Sequence, residues 1–225
     1  MSVDGVSPDG IALPGSLPRG RAPFRRTRDH WWWREGWGPG TRYLTWHLTF
    51  EDAGSLHEAA QRAADALSTV PFVDVVPREW QHLTMAGVGF ADEFDSSTVQ
   101  ALAHSVFDAA SAIVAEPVVL DRLFLFEEGV CLSADSPWLH ELRGTQVECG
   151  RSVGGADPAP DERFHPHVTL AYFSGAVDED SVDEALRRAA LHPVVVSRPR
   201  LSLIELGRDD RLYTWRVIAQ QILGG

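Results

Sequence analysis

From Arg42 onward the chain alternates: Leu44, Trp46, Leu48 and Phe50 are separated by Tyr43, Thr45, His47 and Thr49. A two-residue period of this kind predicts a strand with one buried face. Apolar positions at helical spacing predict a helix over 55–68, and strands are expected at 71–76 and 80–90. A helix at about 96–114 follows, then strands near 117–126 and 129–134 and a short helix near 136–147. Residues 150–163, rich in Gly, Pro, Asp and Arg, read as a loop. Another alternating strand runs from Phe164 to Phe173. The helix expected at 179–190 opens on an acidic turn, as helix N-termini favour. Two strands, 194–206 and 211–220, are joined through Gly207-Arg208-Asp209-Asp210. Strands and crossover helices in this order indicate an α+β fold of two related lobes, each an antiparallel sheet with helices.

Residues 1–40 follow neither period. They are rich in Pro, Gly and Arg, with Arg19, Arg21, Arg25, Arg26 and Arg28 followed by Trp31, Trp32, Trp33 and Trp37. The chain therefore divides into an N-terminal arm, 1–40, and a body, 41–225. Arginine and tryptophan together suit electrostatic and stacking contact with RNA. Four tryptophans are costly to leave in water, so docking of the arm on the body is the competing expectation.

Charge and composition narrow the chemistry. All 20 basic residues are arginine and none is lysine, which excludes a Schiff-base lysine, a phosphate-loop lysine and a lysine nucleophile. Net charge is −12. Residues 1–42 carry seven arginines against four acidic residues, so the body is strongly acidic. Such a body repels a long polyanion and leaves a small anionic substrate or an RNA terminus as the fitting partner. Cys131 and Cys149 are too few for a disulfide framework. No apolar run reaches the roughly 20 residues of a membrane span, and no signal-like segment opens the chain. A cytoplasmic, monomeric protein without membrane contact is expected.

His-Leu-Thr at 82–84 and His-Val-Thr at 167–169 each lie inside an alternating strand. Strand geometry puts His82 with Thr84 on one face and His167 with Thr169 on one face, while Leu83 and Val168 point to the core. Chance placement of the histidines and threonines would give about 0.4 such triplets. Three occur, His47-Leu48-Thr49 being the third. Two imidazoles can take a proton from an attacking oxygen and give one to a leaving oxygen near neutral pH. Two strand-borne hydroxyls can hold the oxygens of a phosphate.

The paired His-x-Thr-hydrophobic elements, the second within Pro-His-Val-Thr-Leu-Ala, resemble the two signatures of the two-histidine phosphoesterase superfamily. The 2′-5′ RNA ligase and RNA cyclic phosphodiesterase family is the branch they look most like. The resemblance spans roughly 42–220, including Gly87-Val88-Gly89-Phe90 after the first motif. It implies a bilobal, pseudo-twofold fold with a central groove, His82 and His167 as catalytic imidazoles, and Thr84 and Thr169 on the phosphate. It also implies metal-independent, cofactor-free hydrolysis of 2′,3′-cyclic phosphates, or reversible making and breaking of 2′-5′ linkages, on nucleotides or RNA ends.

Further groove candidates are His47 and Thr45 beside the first motif, and Arg163 just before the second. An internal echo, Arg42-Tyr43-Leu44-Thr45-Trp46-His47 against Arg211-Leu212-Tyr213-Thr214-Trp215-Arg216, places Thr214 and Arg216 at the matching point of the second lobe. Three rival readings compete. One is a metal site built from His165, His167, Cys149 and Asp161. Another is a non-catalytic nucleotide- or RNA-binding module on the same fold. The third is an RNA-binding protein first, through its Arg/Trp arm, and a phosphoesterase second.

Overall fold

A computed structural model describes residues 17–21, 24–155 and 164–224. Ten strands are present among them: β1 (Arg19–Arg21), β2 (Tyr43–Thr49), β3 (Val73–Val75), β4 (His82–Phe90), β5 (Val118–Phe126), β6 (Gly129–Ala134), β7 (His167–Phe173), β8 (Val194–Val196), β9 (Arg200–Gly207) and β10 (Thr214–Ile222). The α-helices are α1 (Gly54–Leu67), α2 (Ser96–Ala110), α3 (Pro137–Ser152) and α4 (Glu179–Arg188). One mixed, mostly antiparallel sheet runs in the order β1-β5-β6-β7-β4-β2-β9-β10, with β3 added to β7 and β8 to β5. The fold is α+β, as the element pattern predicts.

The two halves of the sheet meet at β4 and β7, which pair antiparallel at one position, Leu83 opposite Val168. Helices α2 and α3 pack together on the β4-β2-β9-β10 half, α3 against β4 and α2 against β10. Helices α1 and α4 pack together on the other half, α1 against β7 and β8. Each half thus has its own helix pair, and the seam between them carries both His-x-Thr elements. Leu83 and Val168 are fully buried, each contributing roughly 1.5–3 kcal/mol. A one-residue slip would expose both and turn the histidines inward, so burial fixes which face the motif presents.

Local chemistry explains the element ends. Asp95 caps α2 by accepting from the Thr98 backbone N–H at 2.7 Å, and Pro137 starts α3, where its missing N–H is harmless. Helix α4 has Glu179 and Asp180 in its first turn and Arg187 and Arg188 in its last, both favourable to the helix dipole. Three boundaries depart from the sequence pattern. Helix α3 runs on to Ser152 instead of ending near 147. The strand expected over 194–206 is two strands, β8 and β9, because Pro199 interrupts the run and sends them to different partners. The second half of the echo, on β10, lies beside β9 in the same half as β2, not in the opposite lobe.

The segment before 41 packs on the body wherever it is described. β1 adds a parallel edge to β5, the His30 N–H donates to the Phe173 carbonyl at 2.8 Å, and Trp31 is buried against Val76 and Tyr172. Trp32 and Trp33 stay about half exposed. Among the described residues no helix is long and apolar enough to cross a membrane.

Candidate active site

With Leu83 opposite Val168 and the strands antiparallel, register sets His82 beside Thr169 and Thr84 beside His167. Each histidine therefore has its own threonine two residues on and the other lobe's threonine across the seam. The two imidazoles are anchored alike. His82 Nδ1 lies 2.8 Å from the Trp80 carbonyl, and His167 Nδ1 lies 2.6 Å from the His165 carbonyl. A carbonyl only accepts, so both Nδ1 atoms carry the proton and donate it, leaving the Nε2 lone pair of each ring to face other partners.

The electrostatic settings of the rings differ. Burial lowers the His82 pKa to about 4, partly offset by the Trp80 carbonyl, with His167 lowering it further. Burial also lowers His167, against the raising effect of the His165 carbonyl, but His167 is the more exposed ring. His82 is enclosed by aromatic rings. His47 stacks on it at 4.2 Å between centroids and 5° between planes, and Trp215 meets both rings edge-on at 5.1 and 5.5 Å. His47 is itself held neutral by burial and by His82. Its Nε2 lies 3.4 Å from the Thr84 hydroxyl, so His47 orients the first motif's threonine.

A cavity of about 990 Å³ opens from the first motif, at the upper end of the roughly 300–1,000 Å³ typical of small-molecule sites. His47, Thr45, His82 and Thr84 line it, together with Arg34, Trp37, Tyr172, Arg208 and Tyr213. Thr45 uses its hydroxyl on the Ala86 carbonyl at 3.1 Å. A Cβ at Gly87 would come 2.8 Å from the Tyr43 hydroxyl, so a larger residue there would push the Tyr43 ring aside. Tyr172 reaches the cavity although it is three residues from Thr169, because the β6–β7 register shifts past Leu170.

The remaining sequence candidates are placed differently. On β10 it is Trp215 that faces the histidines, so strand alternation turns Thr214 and Arg216 away. Arg216 is exposed and pairs with Glu205 at 2.7 Å. Arg163 and Asp161 lie outside the described residues. Cys149 accepts from the Ser105 hydroxyl, and among the described residues no three His, Cys, Asp or Glu side chains gather as metal ligands. Burial pushes the Cys131 thiol up to about 12, so it stays protonated.

Sequence reasoning missed the polar cluster joining the N-terminal segment to the cavity. Glu128, on the β5–β6 turn, accepts from Arg28 at 2.7 Å, His30 Nδ1 at 3.0 Å, Arg34 at 3.2 Å and the Trp32 indole at 3.3 Å. With Nδ1 donating to Glu128, His30 Nε2 accepts from the Tyr213 hydroxyl at 3.0 Å. The Tyr213 oxygen in turn accepts from Arg34 at 3.2 Å. The arginine and tryptophan content of the segment was visible in the sequence; its carboxylate partner, almost 100 residues away, was not.

Comparison with known proteins bears on the fold and the family. No curated protein is a significant match to the chain. Among solved structures, Escherichia coli LigT in complex with 3′-AMP is similar with a TM-score of 0.56 at 15% identity, covering 82% of this chain and 99% of that one. The Thermus thermophilus protein TT0787 is similar with a TM-score of 0.57 at 16% identity, covering 81% and 98%. A protein described as a phosphoesterase gives 0.55 at 15% identity, covering 82% and 99%. These likenesses are of fold. The sequence profile of the 2′-5′ RNA ligase superfamily matches residues 52–210, well over half of the chain, and the chain belongs to that superfamily of phosphoesterases.

Proposed function

We propose that this protein is a phosphodiesterase that opens 2′,3′-cyclic phosphates, or cleaves and forms 2′-5′ linkages, on nucleotides or RNA ends, with His82 and His167 as its acid–base pair. The observation that carries this reading is the matched anchoring of the two imidazoles, each giving its Nδ1 proton to the carbonyl two residues before it. Membership of a phosphoesterase superfamily supports it, as does the 3′-AMP bound by a relative of the same fold.

The setting of each ring supports one direction of proton flow. His82 is neutral at pH 7 and enclosed by His47 and Trp215, so its Nε2 lone pair acts as the base that takes a proton from the attacking water. His167, more exposed and beside Phe126, acts as the acid. The water oxygen bonds to phosphorus, the bond to one ribose oxygen breaks, and His167 protonates that oxygen to give a hydroxyl beside a phosphomonoester. Thr84 and Thr169 donate to the non-bridging oxygens. An anionic phosphate between the rings favours their charged forms and so opposes the lowering of His167 by burial.

The test is a panel of 2′,3′-cyclic nucleotides, short RNAs ending in a cyclic phosphate, and 2′-5′ dinucleotides, incubated with and without a strong chelator. Hydrolysis of at least one class is expected, equal in both arms and lost in His82→Ala and His167→Ala. Near-normal turnover by both variants would overturn the reading. Activity lost to chelator and restored by one divalent ion would replace the metal-free mechanism with Lewis-acid chemistry. Tight nucleotide binding with no turnover of any class would favour the binding-module alternative.

A further inference from the structure

Among the described residues, the cavity wall contains a buried cation that makes no ion pair. Arg208, in the turn between β9 and β10, is only 4% exposed. Its Nη2 donates to the His30 carbonyl at 3.1 Å, while Nη1 has no hydrogen-bond partner. No carboxylate lies within ion-pair distance of it among the described residues. The rings of Trp31, Trp33, Trp37 and Tyr213 surround the guanidinium at 5.8, 5.8, 5.9 and 5.6 Å. These contacts sit at the outer limit of about 6 Å for a cation over a ring, and they do not replace an anion. A buried charge left unpaired is destabilising, and Arg208 shares the wall of the cavity with His82 and Thr84.

Nearby acidic groups are already engaged. Glu128 serves Arg28, His30 and Arg34, Asp209 serves Arg42 and the Gly40 N–H, and Glu93 accepts from the Phe90 N–H. Glu35 is the remaining carboxylate on the wall. Burial and Arg34 both disfavour the charged form of Arg208, while Glu128 acts the other way without pairing with it. The Tyr213 hydroxyl, between His30 and Arg34, completes a polar end to the cavity.

We propose that Arg208, with Arg34, forms a second anion site in the groove, and that the preferred substrate carries a second phosphate besides the diester attacked at the histidines. A nucleoside 2′,3′-cyclic phosphate bearing a 5′-phosphate, or the last residue of an RNA, has this chemistry; a cyclic nucleotide with a free 5′-hydroxyl does not. This inference rests on the phosphodiesterase reading for the identity of the first phosphate. The cavity has the volume for both groups, and the arginine fork is suited to a phosphate.

The experiment compares binding of adenosine 3′,5′-bisphosphate and adenosine 3′-monophosphate by calorimetry at fixed salt, with kinetics on cyclic nucleotides that do and do not carry a 5′-phosphate. The full chain is expected to favour the doubly phosphorylated ligand at least tenfold in both. Arg208→Met and Arg34→Gln should each bring the ratio below threefold, and Arg208→Lys should keep part of it. Melting curves identify any variant that fails to fold, and Arg208→Lys and Arg34→Gln carry the test should Arg208→Met be one. A ratio within threefold in the unaltered protein, or an unchanged ratio in folded variants, overturns the second site. Cyclic phosphate hydrolysis without the ratio leaves the phosphodiesterase reading standing alone. The binding ratio without hydrolysis of any diester leaves the anion site standing and removes that reading.

Discussion

Replacing His167 with alanine, and then supplying a substrate whose leaving group needs no proton, separates the tasks of the two imidazoles. His82 has its pKa held to about 4, so at pH 7 roughly one free molecule in a thousand carries the extra proton, a deficit of about 4 kcal/mol at 1.36 kcal/mol per pKa unit. A group so placed is almost always in its free-base form, open to a proton, and its acid form is too scarce to serve as the proton donor. Loss of the acid should slow hydrolysis of a cyclic nucleotide by about 10²–10⁴-fold, roughly 3–5 kcal/mol. On a p-nitrophenyl phosphodiester, whose nitrophenolate departs unprotonated, His167→Ala should regain most of that loss while His82→Ala stays inactive. The pH dependence of kcat/KM supplies a second readout. Because the free-protein pKa of His82 is depressed, the base should remain competent as pH falls and be lost only near pH 4, and the alkaline limb should vanish in His167→Ala. The limbs of the unaltered protein belong to the coupled pair and not to one ring. Rescue of His82→Ala instead of His167→Ala by the aryl ester would reverse the assignment. No rescue of either would refute the division of labour altogether.

Two further outcomes follow from the same geometry. Thr84→Ala and Thr169→Ala should each reduce kcat/KM by about 2–4 kcal/mol in transition-state stabilisation with little change in urea midpoint; unaltered kinetics in both would make these hydroxyls structural. Glu128→Ala, which strips a side chain only 11% exposed from Arg28, His30 and Arg34, should cost about 3–5 kcal/mol in urea unfolding and make the 24–34 segment a site of early protease cleavage. A cost below about 1 kcal/mol would show that the segment is held by its backbone and aromatic contacts alone.

Much of the site was readable because it depends on local period. Alternation around His82 and His167 fixed which neighbours share a face, while the pairing of Leu83 with Val168 that joins the two motifs came only with the structure. What remained hidden depends on which distant strands lie together. The echo on 211–216 is real as sequence, but β10 pairs with β9, and the side chain delivered to the histidines is Trp215, not Thr214 or Arg216. Register shifts hid Tyr172, since a strand that skips a residue breaks the even count used to assign faces. Arg208 sat in a turn recognised only for its turn residues. Its burial comes from the tryptophans of the N-terminal segment closing over it, which no periodicity in either stretch announces.

The meeting of β4 and β7 at one residue pair has a mechanical consequence. Where a long ladder would fix the angle between the halves by itself, one pair leaves that angle to what packs around the seam, α3 on β4 from one side and α1 on β7 from the other. Side chains at the seam take their tilt from the strands that carry them. Repacking the apolar faces of α1 or α3 is therefore a means of re-aiming one imidazole against the other from a distance. Directed changes of reaction preference in this protein belong in those helices as much as in the groove.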